Sequence, residues 1–273
     1  MSSHFTNVIS RGFGSFASTE FSPWFQKIVN NSYVKLMKLD MSEFEAAESY
    51  SSLNALFTRH LKVPREFDKD LHVMISPCDA LISERGTIED TLAMQIKGMS
   101  YDVDSLLGEN ISDESKALVH GGDYCNWYLS PKDYHRYHMP VDAEIHKAIH
   151  IPGKLYPVNM PALKNINSLF VENERVVLEC SAQGKRFYMV MVGALNVGKM
   201  QISFAPKIQT NASVDNIQVH RFYNHHLKKG DDFGCFEMGS TIVILSEKGL
   251  FNYSLQAGED VKFAQSIATV YKL

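Results

Sequence analysis

Apolar positions follow a helical rhythm early in the chain and a strand rhythm later. Phe5, Ile9, Phe13 and Phe16 recur at helical spacing, although Gly12 and Gly14 weaken that segment. A stronger amphipathic helix is predicted next. Ser22 can cap it, Pro23 suits its first position, and Phe25, Ile28, Val29 and Leu36 line one side with Trp24 beside them. Ser42 and Glu45 make a capping-box pattern, and Leu53, Leu56 and Phe57 mark a short helix that ends by Pro64.

From Met74 onward, short β-rich runs alternate with Gly, Pro and Asp. The runs 175–180 and 187–192 flank a Gln183-Gly184-Lys185 turn and read as a hairpin. The runs 200–204 and 241–245 predict further strands. The expected fold class is α+β, an N-terminal helical layer on a largely antiparallel β core. We divide the chain into a helical region at 1–65 and a β-rich domain at 66–273.

Composition narrows the function classes. At 273 residues, 45% hydrophobic and 21% charged, the chain has ample length for a core. A formal net charge of −4 gives no general attraction to nucleic acid, and no nucleic-acid partner is expected. The four cysteines stand far apart without a Cys-x-x-Cys pair, as reduced and buried residues do. No apolar run approaches the roughly 20 residues that span a bilayer. Met1 to Thr19 lacks the basic start and continuous apolar stretch of a secretory signal. The aromatic helical face is therefore open to two readings, a membrane-surface anchor or a face packed on the core.

Candidate chemistry sits in three places. Gly239-Ser240 opens a strand, where a serine hydroxyl can attack the carbonyl before it, yet the same pair is common turn chemistry. Asp79, after the run 73–75, is a turn former or a buried carboxylate that orients a histidine. His135 and His138 lie in a Ser-Pro-Lys-Asp-Tyr-His-Arg-Tyr-His-Met-Pro block, and in a strand they would point oppositely. Metal binding is a rival there, but no third ligand stands at convincing spacing, and no metal is expected. His225-His226, before Lys228-Lys229-Gly230, reads as a solvated loop.

In their order these pieces resemble the phosphatidylserine decarboxylase family, from about Leu53 to Ser246. The segment 54–62 is similar to its Phe-x-Arg-x-Leu-Lys motif, Ser76 to Ala80 to its Ser-Pro-x-Asp-Gly turn, and Lys97-Gly98-Met99-Ser100-Tyr101 to its Lys-Gly-x-x-Tyr motif. The histidine block, Pro152 to Asn159, Asn173-Glu174-Arg175, Val192 to Ala194, Val197-Gly198 and Gly239-Ser240-Thr241 continue it. Ala80 stands where the family has glycine, and Met238 where leucine is frequent.

The resemblance implies an enzyme that processes itself. Ser240 would attack the Gly239 carbonyl, and elimination from the resulting ester would leave a pyruvoyl group, derived from Ser240, on a new chain from residue 240 to 273. By the resemblance His138 is the base and Asp79 orients it, giving an Asp79-His138-Ser240 triad. The pyruvoyl cofactor would then take phosphatidylserine through a Schiff base, and His135 would supply the proton that replaces the carboxylate. The product would be phosphatidylethanolamine. Implied partners are phosphatidylserine in a membrane, the two cleavage fragments as α and β subunits, and a homodimer. The implied location is peripheral, on the cytoplasmic face of a bacterial-type cell membrane, held by the region 1–65. Three alternatives remain open: a serine hydrolase using the same residues, a non-catalytic lipid-surface scaffold, and a pyruvoyl decarboxylase for a small amino acid. A Gly-x-Ser-x-Gly elbow is missing for the first, and a scaffold needs none of the four reacting residues.

Overall fold

Ser52 shows how local chemistry sets the first elements, because its hydroxyl accepts the Ala55 amide at 3.1 Å and so starts a helix at Leu53. The computed structural model describes residues 5–96, 98–195, 199–208, 210–211, 216–237 and 240–271. Lys97, Val197, Gly198, Met238 and Gly239, all singled out above, lie outside the described residues. Three helices come first: α1 (Phe5–Ser18), α2 (Pro23–Met37) and α3 (Leu53–Phe57). Pro23 opens α2 as expected, but the Ser22 side chain makes no capping bond.

Ser42 and Glu45 start no helix. The Asp40 carboxylate captures the Ser42 amide at 2.9 Å, and the Phe44 amide closes on the Met41 carbonyl at 3.0 Å. The chain winds a turn there, and only a single 3₁₀ turn follows at Ala47–Ser49.

The β-rich part begins with β1 (Val73–Ile75), β2 (Ala80–Thr87), β3 (Leu92–Ile96) and β4 (Met99–Asp102). Short helices α4 (Val103–Leu107) and α5 (Asp113–Ala117) lead to β5 (Asp123–Leu129), β6 (Arg136–His138) and β7 (Ala143–Ile151). Then come α6 (Met160–Asn165), α7 (Leu169–Glu172), β8 (Arg175–Ala182), β9 (Lys185–Val192) and β10 (Met200–Ile202). The chain closes with β11 (Gln218–Leu227), β12 (Asp232–Phe236), β13 (Ser240–Ser246), β14 (Phe251–Tyr253), β15 (Asp260–Val261) and β16 (Ser266–Val270).

The main sheet has eight strands in the order β11-β7-β8-β9-β13-β5-β2-β15, and smaller sheets run β10-β12-β6 and β1-β16-β14. All pairings between these strands are antiparallel, as the α+β reading expected. The hairpin β8–β9 turns at Gln183 and Gly184, both left-handed at φ 49° and 77°, the geometry a two-residue turn demands. His225 and His226 lie within β11, paired with Ile145 and Glu144 of β7, and are not in a loop. Ladder hydrogen bonds to β7 outweigh the polar composition that suggested one.

Central strand β13 is buried along its whole length. Ile242 and Ile244 pack in one core with Trp127, Met189 and Met191, whereas Val243 and Leu245 join Tyr101, Phe170 and Val190 on the opposite face. Burial on both faces makes its apolar run continuous rather than alternating. Ser240 shares the parity of Ile242 and Ile244, so it belongs to the first face. The small β10-β12-β6 sheet supplies Tyr137, Phe233 and Phe236 to that same core.

Candidate active site

Ser240 begins β13 opposite Leu129, the last residue of β5. Beyond Leu129 the chain turns through Ser130 to Asp133 and reaches His135 just before β6. From the other direction, β12 approaches Ser240 while paired to β6, with Asp232 opposite His138 and Cys235 opposite Arg136. The Phe236 amide donates to the His135 carbonyl at 2.9 Å. The segment leading to residue 240 is thus laced to the histidine block, and the serine emerges beside the turn that carries it.

The Ser240 side chain is buried, and its Oγ has no hydrogen-bond partner among the described residues. Ser130 Oγ at the facing strand end and Thr241 Oγ1 on the other face of β13 are likewise buried without a partner among the described residues. Buried hydroxyls normally find a partner, so a group of orphans marks a place organised for something other than stability.

His135 is fully buried. Its Nδ1 lies 2.8 Å from the Asp133 carbonyl oxygen, which can only accept, so Nδ1 carries the proton and Nε2 carries the lone pair. That Nε2 is buried and has no partner among the described residues. The Phe57 ring rests against the imidazole with centroids 4.0 Å apart. Burial, helped by the nearby Arg59 cation, pushes the imidazole pKa down to about 3.

His138 faces a different environment, as strand geometry requires. Its Nδ1 donates to the Gly230 carbonyl at 3.0 Å, and its Nε2 accepts from the Tyr134 hydroxyl at 3.0 Å. Phe263 stacks on the ring at 3.6 Å between centroids and 15° between planes. Burial lowers this imidazole to about 4.

Asp79 bonds elsewhere. Its Oδ1 and Oδ2 take the Arg65 guanidinium at 2.5 and 3.0 Å, and Oδ1 also accepts the Phe263 amide at 2.7 Å. Arg65 holds Glu43 with its remaining donors at 2.8 and 2.7 Å. Both nitrogens of His138 are engaged by Gly230 and Tyr134, and Asp79 reaches that ring through Phe263. Sequence reasoning named Asp79, His135, His138 and Ser240 but missed the groups that hold them. Phe57 and Arg59 sat in the quoted segment 54–62, and Tyr134 in the histidine block. Arg65 and Phe263 carried no local signal.

A cleft of about 570 Å³ opens beside the segment leading to Ser240, lined by Arg136, Lys199, Gln201, Ser203, Ile208 and Asn211 among others. Its floor is β10 and β12, and the Glu237 amide donates to the Lys199 carbonyl at 2.8 Å. Arg136 is committed to Asp232, with Nε to Oδ2 at 2.5 Å and Nη2 to Oδ1 at 3.0 Å.

The profile of the phosphatidylserine decarboxylase family matches residues 53–269. The chain belongs to this family. A phosphatidylserine decarboxylase proenzyme of Helicobacter pylori is 50% identical over 265 residues, covering 96% of each chain. That of Campylobacter jejuni is 45% identical over 268 residues, covering 97% of this chain and 99% of its own. The Idiomarina loihiensis proenzyme is 35% identical over 256 residues, covering 91% and 86%. The family match takes in the histidine block, Asp79 and Ser240, and begins at the first residue of α3.

Proposed function

We propose that the chain decarboxylates phosphatidylserine to phosphatidylethanolamine, after cutting itself between Gly239 and Ser240 and converting Ser240 to a pyruvoyl group. The observation that carries the self-processing is the buried, unpartnered Ser240 Oγ at the start of β13, just beyond a segment bonded to the His135 carbonyl, in a chain of this family. His138 is read as the base that takes the Ser240 proton, and Asp79 as the group that keeps its ring in place through Phe263. The residues around position 240 fit such a group, because the Ser240 Oγ from which it would derive is itself a buried polar atom without a partner among the described residues, at the strand end facing Leu129 and Ser130. Once formed, the pyruvoyl group supplies a carbonyl that accepts electrons as carbon dioxide leaves. His135 Nε2, after taking a proton from solvent, would pass it to the substrate α-carbon that has lost the carboxylate.

Membrane association rests on helix α2. Its buried residues are Gln26, Asn30 and Tyr33. Asn30 receives the Gln26 amide at 2.8 Å and donates to the Ala47 and Tyr50 carbonyls, each at 2.9 Å. These polar bonds, with Val29, Val34 and Met37 packed against Leu53, Leu56 and Phe57, hold the inner face, and a second apolar side turns outward, with Trp24 68% and Leu36 75% exposed. Rings of Phe13, Phe16, Phe21, Phe25 and Trp24 follow one another at 5.2–6.3 Å. An outward aromatic stripe of this kind suits the headgroup region of a lipid surface. Among the described residues no helix is long and apolar enough to cross a membrane. Attachment is therefore read as peripheral. The four buried free cysteines suit a reducing compartment, and this supports reading the attachment as one to the cytoplasmic face.

Intact mass measurement of the purified protein tests this reading. Two chains are expected, one ending at Gly239 and one beginning with a blocked residue 240, whereas Ser240→Ala gives a single chain. A fully active, uncleaved protein would overturn the proposal.

A further inference from the structure

Arg59 is a buried guanidinium, 2% exposed, that forms no salt bridge among the described residues. It donates to the Leu56 carbonyl at 3.3 Å, the Lys132 carbonyl at 3.3 Å and the Asp133 carbonyl at 3.5 Å, and lies 4.3 Å above the Phe44 ring. Its Nε is buried without a partner among the described residues. Keeping a cation here without a carboxylate is costly, and an apolar side chain of equal volume would serve packing better. The charge and the fork must therefore act on something.

Two donors meet at one atom. Arg59 Nη2 and His135 Nδ1 both point at the Asp133 carbonyl oxygen, at 3.5 and 2.8 Å. By also holding the Lys132 carbonyl, the guanidinium fixes the turn from which His135 projects. Phe57, two residues before Arg59, packs on the His135 ring. The end of α3 therefore grips the imidazole from its face and from its Nδ1 side, and leaves only Nε2 open.

We propose that Arg59 is a positioning residue for His135, fixing its Nδ1–H tautomer and the aim of Nε2 through the Lys132 and Asp133 carbonyls. The proposal rests on the reading of His135 as proton donor. The cation also disfavours a resting imidazolium, so a proton taken up at Nε2 is passed on readily rather than stored. Self-cleavage, which that reading assigns to His138 on the opposite side of β6, does not need Arg59.

The test uses Arg59→Met, which keeps length and removes the charge, beside Arg59→Lys, Phe57→Leu and His135→Ala. Arg59→Met is expected to yield both chains by mass, with kcat for carbon dioxide release down at least about tenfold and KM changed much less. Arg59→Lys restores a point charge without the fork and should recover part of the loss. A second readout needs no turnover. In the uncleaved Ser240→Ala chain labelled with ¹⁵N-histidine, the ring signals that vanish in His135→Ala should report a single Nδ1–H tautomer. Adding Arg59→Met should convert those signals to a tautomer mixture, and Arg59→Lys should give an intermediate pattern. Turnover and tautomer unchanged in Arg59→Met, with His135→Ala inactive, would overturn the positioning role alone. Should Arg59→Met fail to fold, unchanged kcat and ring signals in both Arg59→Lys and Phe57→Leu would overturn it equally. Normal turnover by His135→Ala would instead remove the proton-donor reading, and this proposal with it.

Discussion

The Tyr134 hydroxyl donates to His138 Nε2 across 3.0 Å, while the other ring nitrogen is held by the Gly230 carbonyl. The lone pair that would receive the Ser240 proton is therefore already engaged. Burial pushes the Tyr134 phenol pKa up, so the hydroxyl keeps its proton and remains a donor. With His138 as the proposed base, self-cleavage would require this contact to open. Tyr134→Phe removes one neutral hydrogen bond, worth about 0.5–1.5 kcal/mol, and should speed cleavage roughly two- to tenfold. The measurement is the cleaved fraction against time after cell-free synthesis. Slower cleavage would mean that the phenol relays the proton and does not guard the base.

Asp79 and His138 are coupled through Phe263, whose amide binds Asp79 and whose ring covers the imidazole. Asp79→Ala should block cleavage, as should His138→Ala. Phe263→Ala should slow cleavage at least about tenfold although no acid or base is lost, because the ring that fixes the base is gone. Asp79→Asn can still accept the Phe263 amide and should cleave better than Asp79→Ala. Gel analysis of the four variants decides the matter. Normal cleavage by Phe263→Ala would leave Asp79 acting on His138 by some other route.

On the proposed reading the two histidines should separate by task. His135→Ala should still cleave, at least partly, because His135 bonds to Asp133 and not to the groups around His138. It should nevertheless fail to release carbon dioxide from phosphatidylserine. General acid catalysis typically contributes 10²–10⁴-fold, and a loss of about that size is expected. A cleaved His135→Ala protein with normal turnover would show that another group supplies the proton.

Acid stability follows from the same burial. His135 and His138 are lowered to about 3 and about 4, whereas in the unfolded chain both take a proton near their ordinary 6.5. Above pH 6.5 neither state holds these protons, and their contribution to stability is fully present. As pH falls from 6.5 toward 4 the unfolded chain binds more protons, so stability drops by up to roughly 1.4 kcal/mol per pH unit for each histidine. Urea unfolding of the uncleaved Ser240→Ala chain at pH 7 and pH 5 measures this. Adding His135→Asn should shrink the difference between the two pH values. An unchanged difference would mean that His135 is charged in the folded protein.

Elements with local causes were legible in the sequence. Pro23 opens α2, the hairpin at Gln183-Gly184 follows from its turn residues, and Thr241 to Leu245 reads as a strand because both its faces are buried. The candidate side chains Asp79, His135, His138 and Ser240 could be named from the sequence because the order of the motifs around them matches a family. Their supports could not. Arg65 and Phe263 reach Asp79 from 14 and 184 residues away, and no local pattern specifies such a pairing. Ser42 misled because Asp40, two residues earlier, competes for its amide. The apolar stripe of α2 was visible, but its direction was not. The bonds of Asn30 to the Ala47 and Tyr50 carbonyls and the packing of Val29, Tyr33, Val34 and Met37 on α3 turn the side carrying Trp24, Ile28 and Leu36 outward.

That outward side leads to the membrane prediction. Phe16, Trp24, Phe25, Ile28 and Leu36 are exposed on α1 and α2 and make no core that the fold would lose. Burying one large apolar side chain contributes on the order of 1.5–3 kcal/mol, so several together can hold the protein on a bilayer reversibly. Contacts of this kind are not screened by salt, so high salt should release little protein and detergent most of it. Removing the whole N-terminal region would disturb Tyr33, whose hydroxyl reaches the Pro131 carbonyl at 3.5 Å, so point changes are the cleaner test. Trp24→Ser, Ile28→Ser and Leu36→Ser together leave Gln26, Asn30 and Tyr33 intact. This variant should still cleave itself, yet its co-sedimentation with phosphatidylserine-containing liposomes should fall at least about tenfold, the loss of only 1.4 kcal/mol of binding. Undiminished sedimentation by a cleaved triple variant would move the lipid-binding surface away from α2.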